Sequence, residues 1–269
     1  ALTASKVLGI VLTKRSNAND DSPAMAGFPH HSIETYLPKL VRAGYKVAVC
    51  DQLEDPKFAK NIVRRGITDL VTPGVVFNDN ILSQKENNFI AALCYDNASC
   101  GVAFLDVTTG SFQLSQGSLD FIGTLLGSFE PKELLVCRGF EKGTAEKFGD
   151  KYFISTMESW AFAGDSCREK LCKQLDVESL KGFAVDRYPL GINAAGALLS
   201  YLEQTQHFGL RNICTISRID EGKFVWMDQF TLRNLEVFSS AGGKDGVSLF
   251  QVMDGCRTPL GSRLLKRWL

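Results

Sequence analysis

Residues 87–114 read Asn-Asn-Phe-Ile-Ala-Ala-Leu-Cys-Tyr-Asp-Asn-Ala-Ser-Cys-Gly-Val-Ala-Phe-Leu-Asp-Val-Thr-Thr-Gly-Ser-Phe-Gln-Leu. Three apolar runs (89–95, 101–107 and 111–114) are joined by short connections of turn-forming residues, the pattern of an antiparallel meander. Downstream, 119–126 and 142–148 carry helical periodicity, and 134–137 and 152–154 are short strand-like runs. Three paired strands followed by alternating helix and strand predict an α/β layer fold built on a mixed sheet. Helices are expected at 167–175 and 190–206. The second is rich in small residues (Gly191, Ala194, Ala195, Gly196, Ala197), so its backbone should lie close against a neighbour.

Upstream of the meander the periodicity predicts a smaller mixed α/β unit. A helical scrap at 2–9 precedes a strand at 10–13 and a polar loop at 16–23. Ser32 is placed to cap a helix whose apolar positions are Ile33, Tyr36, Leu37, Leu40 and Val41, with Gly44 as terminator. Pro38 inside that helix should bend it or push its start later. Strands are expected at 45–50 and 66–71, and the polar stretch 77–86 reads as a linker. After residue 210 a strand pair (215–219 and 224–227) leads into three short helical patterns. The expected domains are therefore 1–76, a linker at 77–86, 87–210, and a third unit starting within 211–269.

At about 150 residues per domain, 269 residues give roughly two domains. Hydrophobic residues make up 45% and charged residues 22%, and mean hydropathy is −0.02, as in ordinary globular chains. No apolar run approaches the roughly 18 residues of a membrane span, and no presequence opens the chain, so the cytoplasm is the expected compartment. Thirty basic and thirty acidic residues cancel overall but not locally. Residues 1–75 hold 10 Lys/Arg against 7 Asp/Glu, 76–210 hold 11 against 17, and 211–269 hold 9 against 6. An acidic middle between mildly basic ends suits a chain whose ends face a polyanion. It equally suits a middle that docks a partner protein. The eight cysteines are scattered without a CxxC pair, and the only paired histidines are His30 and His31. The thiols read as reduced core residues, and no zinc or other metal site is expected.

Both ends read as severed. The first helix has no N-cap before it, and Thr258 with Pro259 opens an apolar stripe that stops at Leu269 without a C-cap. A piece of a larger protein is therefore expected.

Little of the sequence carries reaction chemistry. The run Gly242-Gly243-Lys244-Asp245 lacks the spacing and the hydroxyl of a P-loop, and nothing positions His30, His31 or His207 beside a nucleophile. One catalytic alternative is a metal-dependent nuclease centred on Asp106, which ends the central strand of the meander, with Glu130, Glu133 and Asp186 as further carboxylates. The competing reading has Asp106 bonding its own Thr108–Thr109 turn. The run Met25-Ala26-Gly27-Phe28-Pro29-His30-His31 is more telling. A basic pair, Lys14 and Arg15, closes the preceding strand, small residues permit close backbone approach, and Met25 offers an apolar contact for a minor groove.

These residues carry a resemblance. Leu12-Thr13-Lys14-Arg15, then Met25 to His31, Tyr36-Leu37-Pro38-Lys39-Leu40-Val41, Val47-Ala48-Val49-Cys50-Asp51-Gln52, Asp55-Pro56 and Val71-Thr72-Pro73-Gly74 resemble, in order and spacing, the mismatch-binding domain of the bacterial MutS family. Asn87 to Ala92, Phe104 to Phe112 and Pro131 to Leu135 are similar to its connector domain, which is ribonuclease-H-like and non-catalytic. Met227-Asp228, Thr231 to Glu236 and Thr258 to Trp268 resemble the opening of its helical core or lever domain.

The resemblance implies DNA mismatch recognition and repair initiation by a whole protein that is a homodimeric, DNA-dependent ATPase using ATP and Mg²⁺. It also implies recruitment of MutL, partly through the connector. This portion would itself be non-catalytic and hold no cofactor. The family's Phe-x-Glu wedge would lie upstream, and its clamp and ATPase downstream. By carry-over, Lys14 and Arg15 would touch the DNA backbone, and Met25, Ala26, Gly27 and His31 would lie near the minor groove. Phe28 and His30 depart from the family's usual aliphatic residue and tyrosine.

Overall fold

The computed structural model describes residues 1–14, 24–55, 62–75, 87–96, 99–149, 151–205, 210–220, 227, 229–240 and 246–269. The polar loop at 16–23, the linker at 77–86, most of the strand at 224–227, the run at 242–245 and His207 lie outside the described residues. The chain divides into two compact units, Ala1–Ile81 and Leu82–Leu269.

In the first unit, helix α1 (Leu2–Leu8) ends where Gly9 turns left-handed at φ 68°, its N–H bonded to the Ser5 carbonyl at 3.0 Å. Strands β1 (Leu12–Thr13) and β2 (Met25–Ala26) pair antiparallel, a shorter element than the run 10–13 predicts. A 3-10 turn, His30–Ser32, feeds helix α2 (Ile33–Arg42). The expected Ser32 side-chain cap is absent. Capping needs an extended backbone at that position, and Ser32 is wound into the turn at φ −90°, ψ 4°. Nor does Pro38 delay the helix start. Its ring is buried within α2, which runs through it. Strands β3 (Val47–Gln52) and β4 (Arg65–Val71) form a second antiparallel pair, with a register irregularity between Val49 and Cys50. A turn through Thr72 and Val75 closes the unit.

The second unit is organised by a six-stranded mixed sheet, as an α/β reading requires. Strands β5 (Phe89–Tyr95), β6 (Cys100–Asp106) and β7 (Ser111–Gly117) form the meander. Strand β8 (Glu133–Cys137) runs parallel to β5, and β9 (Phe153–Met157) parallel to β8. Strand β10 (Ser217–Arg218) adds in parallel to β7, giving the order β10-β7-β6-β5-β8-β9. Between strands lie α3 (Leu119–Phe129), α4 (Glu141–Phe148), α5 (Gly164–Leu175) and α6 (Pro189–Gln204). Three short helices follow: α7 (Gln229–Asn234), α8 (Leu249–Met253) and α9 (Pro259–Trp268). Thr258 caps α9 as its sequence predicts, accepting from the Gly261 N–H.

Alternation along the strands divides the sheet into two buried faces. Phe89, Ala91, Leu93, Val102 and Phe104 pack on Phe121, Ile122, Leu125 and Leu126 of α3. Phe129, at the end of that helix, stacks on Phe104 at 4.2 Å between ring centroids. The other face is covered by α6, and here the small residues act as predicted. A Cβ on Gly101 of β6 would stand 2.2 Å from the Leu190 carbonyl carbon. One on Gly191 would meet the Ser115 carbonyl oxygen at 3.0 Å, and one on Gly196 would meet the Cys167 Cβ at 2.3 Å. We expect Gly101→Ala to destabilise the second unit by about 1–3 kcal/mol, an overpacking cost readable by urea denaturation.

All eight cysteines are free, but the expectation of uniformly buried thiols fails. Cys100 and Cys167 are buried, whereas Cys50 and Cys214 are exposed. Burial pushes the Cys100 and Cys167 thiols up to about 12, with a smaller contribution from neighbouring Cys94. Since the thiolate is the reactive form, an alkylating reagent at pH 8 should label Cys50 and Cys214 in the native state and the buried pair only on unfolding. Below the ordinary thiol value of 9.0 both states keep these protons. Above it the unfolded chain releases them and the folded chain does not, so stability should fall as pH rises from 9 towards 12.

Candidate nucleic-acid interface

The candidate site is built on the β1–β2 hairpin. Thr13 stands opposite Met25 and Leu12 opposite Ala26, and the Thr13 hydroxyl donates to the Met25 carbonyl at 3.3 Å. Exposed Lys14 follows β1 directly, one residue past the Thr13–Met25 pair. Arg15 lies outside the described residues. Met25 is 46% exposed, and Val11 and Leu12 on the same hairpin are 79% and 38% exposed. So much uncovered aliphatic surface beside a lysine combines the apolar and cationic contacts a minor groove accepts. The strand prediction for 10–13 did not reveal that Val11 and Leu12 face outward, because two-residue pairing leaves no alternation to read.

Beyond the hairpin, a Cβ on Gly27 would meet nothing within 4 Å, so the backbone there faces open space. The next residue anchors the loop: Phe28 stacks on Tyr36 of α2 at 4.6 Å between centroids, and the Lys39 ammonium lies 5.1 Å above the Tyr36 ring. Tyr36 and Lys39 are the residues that residue-type reasoning missed. The periodicity of α2 assigned Tyr36 to its apolar face, and Phe28, five residues before the helix, was the available signal. His31 is exposed on the 3-10 turn that follows, as is His30. Loop, stack and turn thus hold Ala26, Gly27 and His31 on one continuous segment, anchored by ring contact rather than by a cap.

The carboxylates of the nuclease alternative are not brought together. Asp106 has the same strand alternation as Val102 and Phe104, on the α3 face. Glu133 is buried on the opposite face, where its carboxylate accepts from the Tyr201 hydroxyl of α6 at 2.6 Å and from Ser155. Glu130 is exposed in a left-handed cap after α3, and Asp186 pairs with Arg168 at 2.6 Å. One Asp106 oxygen accepts from the Thr108 N–H at 3.0 Å, the Thr108 hydroxyl at 2.6 Å and the Thr109 N–H at 3.3 Å. Among the described residues no three His, Cys, Asp or Glu side chains are grouped to hold a metal. Asp106→Ala should therefore cost about 1 kcal/mol or more of stability by removing the acceptor of three turn hydrogen bonds. Asp106→Asn, which keeps an acceptor oxygen, should cost less, a difference that denaturation midpoints would report.

Comparison with known proteins agrees with this layout. The profile of MutS domain I matches residues 1–80, that of MutS domain II residues 88–214, and that of MutS domain III residues 230–269. The DNA mismatch repair protein MutS of Phocaeicola vulgatus is 53% identical over 270 residues. The proteins of that name from Bacteroides thetaiotaomicron and Flavobacterium johnsoniae are 51% and 50% identical over 269 residues. Each alignment takes in 100% of this chain and 31% of the relative, so the chain spans about a third of the length of the proteins it matches.

Proposed function

The chain belongs to the MutS family of DNA mismatch repair proteins, and we propose from this that its first unit contacts mismatched duplex DNA while its second serves as a connector. Residues 1–76 are read as mismatch-binding, 77–86 as linker, 87–210 as a ribonuclease-H-like connector and 211–269 as the start of the core domain. The observation that carries the DNA reading is the hairpin itself, with an exposed Lys14 directly after β1, an exposed Met25 in β2 and an open backbone at Gly27.

The physics suits such a site. A mispair stacks and pairs poorly, so it kinks at lower cost than a matched step, and a protein can select it through deformation without reading sequence. Apolar contact in the minor groove stabilises the kinked form, and lysine neutralises phosphate alongside. Arg15 would supply a second cation, and His31 a further polar contact at the groove edge.

In this reading MutL docks partly on the connector, the whole protein is a homodimer, and ATP with Mg²⁺ serves the whole protein. The residues present do not fit that nucleotide. The sequence holds no GxxxxGK followed by Ser or Thr. No helix among the described residues is long and apolar enough to cross a membrane.

Titration of this chain against labelled duplexes at fixed salt tests the proposal. Because no Phe-x-Glu occurs in the 269 residues, we expect weak binding with little preference for a mispair. Lys14→Ala should weaken binding to matched and mispaired duplexes alike and reduce the slope of log K against log salt by about 0.9. Binding that ignores both salt and Lys14 would contradict the assignment.

A further inference from the structure

Strand β10 has two residues, and parallel pairing is the weaker kind, so its ladder alone is too short to hold the chain that leads from α6 towards α7. Yet Ile213, Ile216 and Ile219 along this stretch are 1%, 2% and 7% exposed. Side chains of the connector supply the missing anchorage. Gln174 of α5 donates to the Leu210 and Ile213 carbonyls at 2.9 and 3.0 Å. At the far end the Ile219 N–H donates to the Leu114 carbonyl at 2.9 Å, and the Ser115 hydroxyl donates to the Ile219 carbonyl at 2.8 Å.

The middle of the stretch is held by the turn after β6. The Asn212 amide donates to the Val107 carbonyl at 2.6 Å. Gly110, left-handed at φ 73°, comes so close that a Cβ there would stand 2.2 Å from the Asn212 carbonyl oxygen. Asp106 shapes this turn through its three bonds to Thr108 and Thr109. We propose that Asp106-Val107-Thr108-Thr109-Gly110 is a catch that clasps residues 210–220 onto the sheet, making the entry to the third domain a moving part of the connector. Asp106 and Gly110 are positioning residues of this clasp. The MutS domain II profile ends at residue 214, inside the clasped stretch, so the clasped residues run past the matched ones. A displacement of the sheet is then passed to residues 210–220.

Hydrogen exchange on the 269-residue chain tests this independently of DNA binding. In the unaltered protein the Ile219 amide should exchange as slowly as the interior amides of β7. Asn212→Ala removes the catch bond without touching the sheet, and it should speed exchange at Ile213 and Ile219 by about tenfold while β5 and β6 amides keep their rates. Gly110→Ala, which cannot hold its turn with Asn212 in place, should do at least as much. Unchanged rates at Ile213 and Ile219 in both variants would overturn the proposal. So would equal acceleration across β5 and β6, since that would make these residues general stabilisers of the sheet.

Discussion

The second unit depends on how closely α6 can approach the central sheet. Helix and strand backbones meet where Gly101 and Gly191 carry no side chain, and Gly196 lets the same helix close on Cys167 of α5. Dispersion falls off within an ångström of optimal contact, so that approach gives Ala194, Ala195, Ala197 and Leu198, all fully buried, their full packing value. The same seating makes the sheet two-faced. With α3 and its aromatic stack on one side and α6 on the other, every residue of β6 is buried. A strand buried on both faces reads as continuous rather than alternating apolar sequence, which is how 101–107 appears.

That logic explains which parts of the molecule were legible. The meander, the helices at 119–126, 167–175 and 190–206, and the Thr258–Pro259 helix start all rest on local signals (turn residues, caps and periodicity), and they survive with shifts of a few residues at their ends. Features set by the surroundings did not show. Ser32 has the chemistry of a cap but lies in a 3-10 turn, and Pro38 sits in a helix that tolerates it. Cys50 and Cys214 belong to apolar-looking runs whose outward side no pattern marks. Strand β10 falls within the expected run 215–219, but its place on the sheet is decided by partners about a hundred positions away, which no local pattern marks.

The candidate DNA contacts divide in the same way. The composition of 25–31 pointed to a loop able to approach a ligand, and family resemblance raised that to a role. Neither could say that Thr13 would pair with Met25, since that comes from partners twelve positions apart in the chain. Nor could they show that Phe28 would fasten the loop to α2 through Tyr36. An interface of this size offers few contacts, so under the proposed function selection of a lesion would rest on how readily the duplex yields, with modest attraction from the protein side.

Glu133 carries a consequence of its own. An ionisable group enclosed between β8, β9 and α6 adds little net stability, since desolvation offsets what Ser155 and Tyr201 return. What it adds is uniqueness. Only a matching rotation and register of α6 delivers the Tyr201 hydroxyl to that oxygen, so the acid and the glycine contacts together fix where the helix settles.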